Sequence, residues 1–170
     1  MLNKNTQVAL QKGELLPLME AFYSLQGEGF YKGTAAYFIR LGGCDVGCHW
    51  CDVKESWAAE AHPLVPVDTI VTDALAHSKT MITGGEPLMW NLDLLTEKLR
   101  AGGAHTHIET SGAHPLSGTF DWICLSPKKI KRPVGDILQK ANELKMVIYN
   151  NNDFLFAEEM AAQVSPDCLL

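Results

Sequence analysis

The chain of 170 residues contains no apolar run near the ~20 residues that a membrane-spanning helix needs. Residues 1–13 also lack the apolar stretch of a secretory signal peptide. Basic residues are outnumbered, 14 against 20 acidic ones, and the net charge of −6 argues against a nucleic-acid partner. The 5 cysteines are an odd count with three crowded together, which argues against a disulfide framework and fits a protein of the reducing cytoplasm.

Cysteine is scarce outside one short loop. Of the 5 cysteines, three stand at Cys44, Cys48 and Cys51, and no second Cys-x2-Cys pair exists. The odd count makes a disulfide framework unsuitable. Thiolates are soft ligands, and three on one loop could bind three irons of a 4Fe-4S cubane while the fourth iron stays open to a small molecule. Trp50 could pack beside that molecule. A structural zinc site with His49 or a distant residue as its fourth ligand stays open as the alternative.

Strand and helix patterns alternate along the chain. Apolar and β-branched runs predict strands over 16–24, 35–41, 80–83, 105–109, 120–125 and 143–149. Amphipathic stretches predict helices over 68–77, 91–100, 133–142 and 153–163. This alternation indicates a mostly parallel sheet, with too few strands to close an eight-stranded barrel. We therefore predict an α/β fold, an open and abbreviated (β/α)6-type partial TIM barrel, as a single domain over residues 1–170.

Polar residues follow several of the predicted strands. Because the carboxyl ends of parallel strands meet at one edge of a sheet, such residues are expected to share a site. Glu86, in the stretch 84–87 (GGEP), could pair with an ammonium group. Arg40 needs an internal carboxylate or an anionic ligand. Glu109 and Ser111 could reach a ribose hydroxyl, and Lys128 could meet a carboxylate.

Four segments resemble, in order and spacing, the core of the radical S-adenosylmethionine (SAM) enzymes: the cysteine loop, 84–87 (GGEP), 109–112 (ETSG) and 126–128 (SPK). Two further segments, 24–29 (SLQGEG) and 38–44 (FIRLGGC), narrow the resemblance to the 7-carboxy-7-deazaguanine synthases. These are small radical SAM enzymes of queuosine and deazapurine biosynthesis.

The resemblance implies an activity and its cofactors. Family members form homodimers and use a 4Fe-4S cluster, SAM and magnesium. An electron from an external donor such as flavodoxin reduces the cluster, and SAM is cleaved to a 5′-deoxyadenosyl radical. The radical takes a hydrogen from C6 of 6-carboxy-5,6,7,8-tetrahydropterin. The ring contracts, ammonia leaves, and 7-carboxy-7-deazaguanine forms.

The resemblance also implies roles for individual residues. Cluster ligands would be Cys44, Cys48 and Cys51. Glu86, with its glycine neighbours, would hold the amino end of SAM, and Arg40 would hold the substrate carboxylate. The full SAM set would be Trp50, Gly84, Gly85, Glu86, Ser111, Ser126, Pro127 and Lys128. The substrate set would be Leu25, Gln26, Gly27, Glu28, Arg40 and Thr83.

Two departures from the family pattern stand out. Many members carry a threonine after the last Cys-Asp pair, where its hydroxyl contacts magnesium, but here the residue is Val53. We therefore assign no protein ligand to magnesium. Residues 167–170 read as the opening of a buried strand, so we expect the C-terminal end of the domain to be incomplete and its contacts with SAM and substrate to be missing.

Two rival functions remain from the sequence. A glycyl-radical-enzyme activating enzyme shares the cysteine spacing and the small size, but has no need of a pterin-facing set such as Gln26, Glu28 and Arg40. A non-catalytic, zinc-stabilised binding module would bind zinc and have no affinity for SAM.

Overall fold

The computed structural model describes residues 2–170, which build one seven-stranded sheet with helices against it. The strands are β1 (Leu15–Leu25), β2 (Ala35–Leu41), β3 (Leu64–Pro66), β4 (Lys79–Gly84), β5 (His105–Thr110), β6 (Trp122–Leu125) and β7 (Glu143–Leu144). The helices are α1 (Lys4–Gln11), α2 (Val67–Ala74), α3 (Asp93–Ala101), α4 (Ile137–Lys140) and α5 (Asn151–Ala161).

The sheet is open and mostly parallel. Its strand order is β3-β1-β2-β4-β5-β6-β7, and β2, β4, β5, β6 and β7 pair in parallel. β1 pairs antiparallel with both β2 and β3. The predicted α/β class and the open, mostly parallel sheet are therefore confirmed. The two antiparallel strands at one edge are a feature that the strand patterns did not indicate.

The two faces of the sheet are covered differently. Successive strand residues point to opposite faces. Ile39 of β2, Ile82 of β4 and Ile108 of β5 belong to a large core shared with the helices. Phe38 and Met81 belong to a small cluster on the other face, with Phe22 and Tyr31 packed against it. On this second face, polar side chains take over towards the carboxyl ends of the strands, with Arg40 after Phe38 and Thr83 after Met81.

Two predicted elements are much shorter than expected. β7 ends at Leu144, because its neighbour β6 ends at Leu125 and the following Pro127 has no backbone N–H to donate. α4 begins at Ile137 rather than near 133, because Gly135 takes a φ of +66° that breaks the helical path. The predictions of a strand over 143–149 and a helix over 133–142 are therefore wrong over most of their lengths.

Within residues 2–170, no helix is long and apolar enough to cross a membrane.

Candidate active site

Two adjoining cavities open at the carboxyl ends of the parallel strands. The first, of about 410 Å³, is lined by the three loop cysteines and by residues that follow β4, β5 and β6. The second, of about 370 Å³, is lined by the end of β1 and by residues of β2 and β4. They share Glu28, Asp52, Thr83, Gly84 and Glu109, so ligands in the two cavities would touch. A further cavity of about 430 Å³ along α3 has no cysteine in its lining, and we do not place the chemistry there.

The loop after β4 lies directly against the start of the cysteine loop. Gly84 has a φ of +131°, and a Cβ there would lie 2.1 Å from the carbonyl oxygen of Leu41. A Cβ on Gly85 would lie 2.2 Å from the carbonyl oxygen of Gly43. The backbone N–H of Glu86 donates to that same oxygen at 2.8 Å. Both positions therefore require glycine, because any side chain would separate the two loops.

The three cysteines have free, partly exposed thiols. Burial raises the pKa of Cys44 and of Cys48, and the Lys128 ammonium partly opposes the rise at Cys48. Across residues 2–170, no three His, Cys, Asp or Glu side chains are gathered as one metal ion requires. Thiolates are soft ligands, so three of them in the lining of one cavity could hold an iron–sulfur cluster or zinc.

An ion-pair network at Asp45 connects the cysteine loop with neighbouring loops. The Asp45 carboxylate accepts a hydrogen bond from Lys131 Nζ at 2.6 Å, and its other oxygen lies 2.9 Å from His114 Nε2. Lys131 follows β6 and His114 follows β5, so the network connects the cysteine loop with two strand-end loops. These contacts lower the pKa of Asp45 although burial acts to raise it.

Glu86 is the most enclosed carboxylate of the site, with 1% of its surface exposed. Oε1 accepts from the backbone N–H of Leu88 at 3.0 Å and from the Thr110 hydroxyl. Oε2 accepts from the backbone N–H of Ser111 at 2.8 Å and from the Ser111 hydroxyl. The carboxylate thus ties the end of β4 to the end of β5.

A closed ring of hydrogen bonds forms the boundary between the two cavities. Gln26 Nε2 donates to Glu109 Oε1, and Gln26 Oε1 accepts from the backbone N–H of Glu28 at 3.2 Å. Lys145 Nζ donates to Glu28 Oε2 at 2.8 Å and to Glu109 Oε2 at 3.3 Å. The ring therefore joins the end of β1, the strand β5 and the segment that follows β7.

Arg40 projects into the second cavity and already has a carboxylate partner. Its guanidinium donates to Glu20 Oε1 at 2.5 Å and lies over the ring of Phe22, 5.4 Å from the centroid. Arg40 also belongs to the lining of this cavity. Of the two partners considered from the sequence, the internal carboxylate is thus present, and room for an anionic ligand remains.

The Lys128 side chain folds back and contacts Ser126, two residues earlier in the chain. Nζ donates to the carbonyl oxygen of Ser126 at 2.8 Å and to its hydroxyl at 2.6 Å. Burial lowers the pKa of this ammonium. Ser126 and Lys128 both line the first cavity, whereas the buried Pro127 between them is not part of the lining.

Comparison with known proteins identifies the family. No protein-family model matches the chain. A 7-carboxy-7-deazaguanine synthase of Flavobacterium psychrophilum is 58% identical over 171 residues, which cover 100% of this chain and 81% of the relative. The chain belongs to the 7-carboxy-7-deazaguanine synthase family. A Synechocystis synthase is 51% identical over 152 residues, 88% of this chain and 73% of that protein. The crystal structure of QueE from Escherichia coli matches with a TM-score of 0.81 and 30% identity, covering 97% of this chain and 84% of that one.

Membership of the synthase family decides between the functions that the sequence left open. The family predicted from the motifs is confirmed, and an enzyme of this kind is favoured over a glycyl-radical-enzyme activating enzyme and over a zinc-stabilised module. The individual ligand roles stay predictions.

In this family context, the structure sorts most predicted site residues into the two cavities. All six predicted substrate residues, from Leu25 to Thr83, line the second cavity. The three cysteines and every predicted SAM residue except Pro127 line the first. Val53 lines the second cavity with an apolar side chain, and its neighbour Asp52 lines both.

The sequence reasoning missed Lys145 and the role of Glu109 in the ring. Lys145 stands in the apolar run 143–149 (ELKMVIY), where it was counted as a strand residue. A lysine inside such an apolar run needs a charged or polar partner. That requirement could have indicated Lys145 as a candidate site residue.

Proposed function

We propose that residues 1–170 act as a single radical SAM domain that converts 6-carboxy-5,6,7,8-tetrahydropterin to 7-carboxy-7-deazaguanine with loss of ammonia. The observation that carries the proposal is the pair of adjoining cavities. One is lined by three free thiols, and the other by an arginine, an amide and three carboxylates. When bound to Cys44, Cys48 and Cys51, a 4Fe-4S cluster would supply the electron that cleaves SAM to the 5′-deoxyadenosyl radical.

The protein's own part is to bind, orient and exclude water. The first cavity would hold SAM beside Trp50, with Ser126 and Lys128 further along. The second would hold the pterin, with Arg40 donating N–H groups not used by Glu20 to the substrate carboxylate. Because the two cavities share five lining residues, the 5′ carbon of SAM and the pterin ring would lie side by side, as hydrogen transfer requires.

Several further properties are part of the proposal. Magnesium would be bound by the substrate carboxylate and water, because Val53 has no side-chain oxygen. An external donor such as flavodoxin would deliver the electron. We expect a homodimer in the cytoplasm, with neither nucleic acid nor membrane as a partner. Omission of magnesium from the assay and light scattering of the purified protein would test the metal and the oligomer.

The deciding experiment is an anaerobic turnover assay. Iron–sulfur-reconstituted protein is incubated with SAM, dithionite and the tetrahydropterin, and the products are analysed by mass spectrometry. We expect 7-carboxy-7-deazaguanine together with 5′-deoxyadenosine. Formation of 5′-deoxyadenosine alone would refute the substrate, and formation of neither would refute the proposed function.

A cysteine pair provides the matched control for the cluster. Cys48→Ala removes one of three loop thiols, so we expect loss of iron, of absorbance near 400 nm and of SAM cleavage. Cys168→Ala removes a thiol outside the loop and should keep all three. Equal iron content in the two variants would contradict the assignment of Cys48 as a ligand.

A further inference from the structure

Lys145 is the only residue of the hydrogen-bonded ring that carries a positive charge, and no motif of the sequence marked it. Three-quarters of its side chain is removed from solvent, since 25% is exposed. Its ammonium lies 2.8 Å from Glu28 Oε2 and 3.3 Å from Glu109 Oε2. It lines the first cavity, and both carboxylates line both cavities.

Two negative charges at one site repel each other, and a cation that contacts both offsets that repulsion. Burial acts to lower the pKa of Lys145, but the charge of Glu109 and the hydrogen bond to Glu28 raise it overall. In return the Lys145 hydrogen bond lowers the pKa of Glu28. The ammonium is therefore fully charged at neutral pH and offsets part of the repulsion between the two carboxylates.

The positions of these carboxylates decide what they can recognise. Carboxylate oxygens accept hydrogen bonds. The amino-pyrimidinone side of a pterin carries N–H donors at its ring nitrogen and its exocyclic amine. Glu28 and Glu109, both held by the Lys145 ammonium, would accept these donors.

We propose that Lys145 is a positioning residue that holds the carboxylates of Glu28 and Glu109 in place as acceptors for the N–H donor edge of the pterin. This rests on the proposed function. Lys145 acts through the two carboxylates and sets the specificity for the pterin ring.

Three variants of the reconstituted holoenzyme test the inference. Lys145→Met removes the cation and keeps the aliphatic stem. Lys145→Arg keeps the charge. Lys98→Met is the matched control, because Lys98 also binds a carboxylate at 2.8 Å, that of Asp68, and lies outside both cavities. The measurements are kcat and KM for the tetrahydropterin, the Kd of 6-carboxypterin from its fluorescence, and 5′-deoxyadenosine formed from SAM without substrate.

For Lys145→Met we expect KM and the 6-carboxypterin Kd to rise about 10- to 100-fold, the range for losing hydrogen bonds that involve charged groups. Lys145→Arg should stay within about fivefold of wild type, since a guanidinium can bond both carboxylates. Substrate-free SAM cleavage should stay within about twofold of wild type in Lys98→Met, because Lys98 lies outside both cavities.

The possible failures are distinguishable. If wild type and Lys98→Met turn over and Lys145→Met keeps its KM and Kd, the inference is refuted while the proposed function stands. A lower melting temperature for Lys145→Met with unchanged KM and Kd would show a purely structural role and would also refute it. If wild type forms no deazaguanine, the proposed function falls, and the inference falls with it.

Discussion

Glu86 permits a test of whether a motif carboxylate braces the protein or binds a ligand. Its four hydrogen bonds come from two backbone N–H groups, of Leu88 and Ser111, and from two hydroxyls. In Glu86→Ala the hydroxyls can rotate to other partners, but the two N–H groups cannot. A buried N–H without an acceptor costs about 1–3 kcal/mol, so the variant should lose about 4 kcal/mol of unfolding free energy.

At about 2–4 °C per kcal/mol for a chain of this length, that loss corresponds to a melting temperature lower by about 10 °C. Glu86→Gln should lose less unfolding free energy than Glu86→Ala, about 1–3 kcal/mol relative to wild type. Each carboxylate oxygen accepts from one backbone N–H, so either orientation of the amide leaves one N–H facing an NH2 group. Glu158→Ala removes an exposed carboxylate on α5 and should change stability by less than about 0.5 kcal/mol.

The assay is thermal unfolding followed by circular dichroism, with SAM binding measured by calorimetry on the same preparations. A melting temperature of Glu86→Ala within about 2 °C of wild type would place the lost unfolding free energy below about 1 kcal/mol. That result would refute a stabilising role of the Glu86 hydrogen bonds. If such a variant also lost SAM binding, the carboxylate would be the ammonium ligand that the motif predicted.

Three further outcomes are expected. If the Arg40 guanidinium binds the substrate carboxylate, Arg40→Ala should raise KM for the pterin about tenfold or more, whereas Glu20→Gln should not. Equal KM values in the two variants would contradict this. Lys131→Met should speed iron loss to a chelator, because it removes a contact that holds Asp45 beside the first cysteine, and an unchanged rate would count against that network. His107→Phe should flatten the fall in melting temperature between pH 6.5 and 4, and an unaltered slope would argue against a buried neutral ring.

The sign of the His107 effect follows from its burial. The ring is 2% exposed, and within residues 2–170 neither ring nitrogen has a hydrogen-bond partner. Burial is the main cause that lowers its pKa from 6.5 to about 3. Between these values the unfolded chain binds a proton that the folded chain does not, so stability falls as the pH falls through this window. Phenylalanine cannot titrate, which removes this contribution.

Local patterns were sufficient for most of the fold. The run 35–41 (AAYFIRL) predicts a strand, and β2 spans the same residues. The failures occurred where a neighbouring strand decides the outcome. Residues 146–149 have strand-forming side chains, but β6 ends at Leu125, and within residues 2–170 no parallel strand continues beside them. A sequence window cannot detect where its future neighbour stops, and β-propensity depends on that neighbour.

The site was predictable to the extent that it follows strand ends. Residues after β2, β4, β5 and β6 come together because these strands are parallel, so the motif residues gathered as expected. The pairing of side chains was not predictable in this way. Lys145 and Glu28 are 117 positions apart, and Arg40 meets Glu20 only because β1 runs antiparallel to β2.

Glu86 and Glu109 show why a motif carboxylate cannot be assigned a role from its position alone. Both lie near the carboxyl ends of neighbouring parallel strands, β4 and β5. An ionised carboxylate has about four acceptor sites. Glu86 receives four hydrogen bonds from the protein and is 1% exposed, so little acceptor capacity remains for a ligand. Glu109 receives two from the described residues, one on each oxygen, and 23% of its side chain is exposed.

Of these two glutamates, it is therefore Glu109 that keeps free acceptor capacity, at the boundary between the two cavities. The distinction between the two glutamates is made by the partners that reach them. Thr110 and Ser111 enclose Glu86 from the next strand, whereas Lys145 and Gln26 hold Glu109 and leave it open to a ligand.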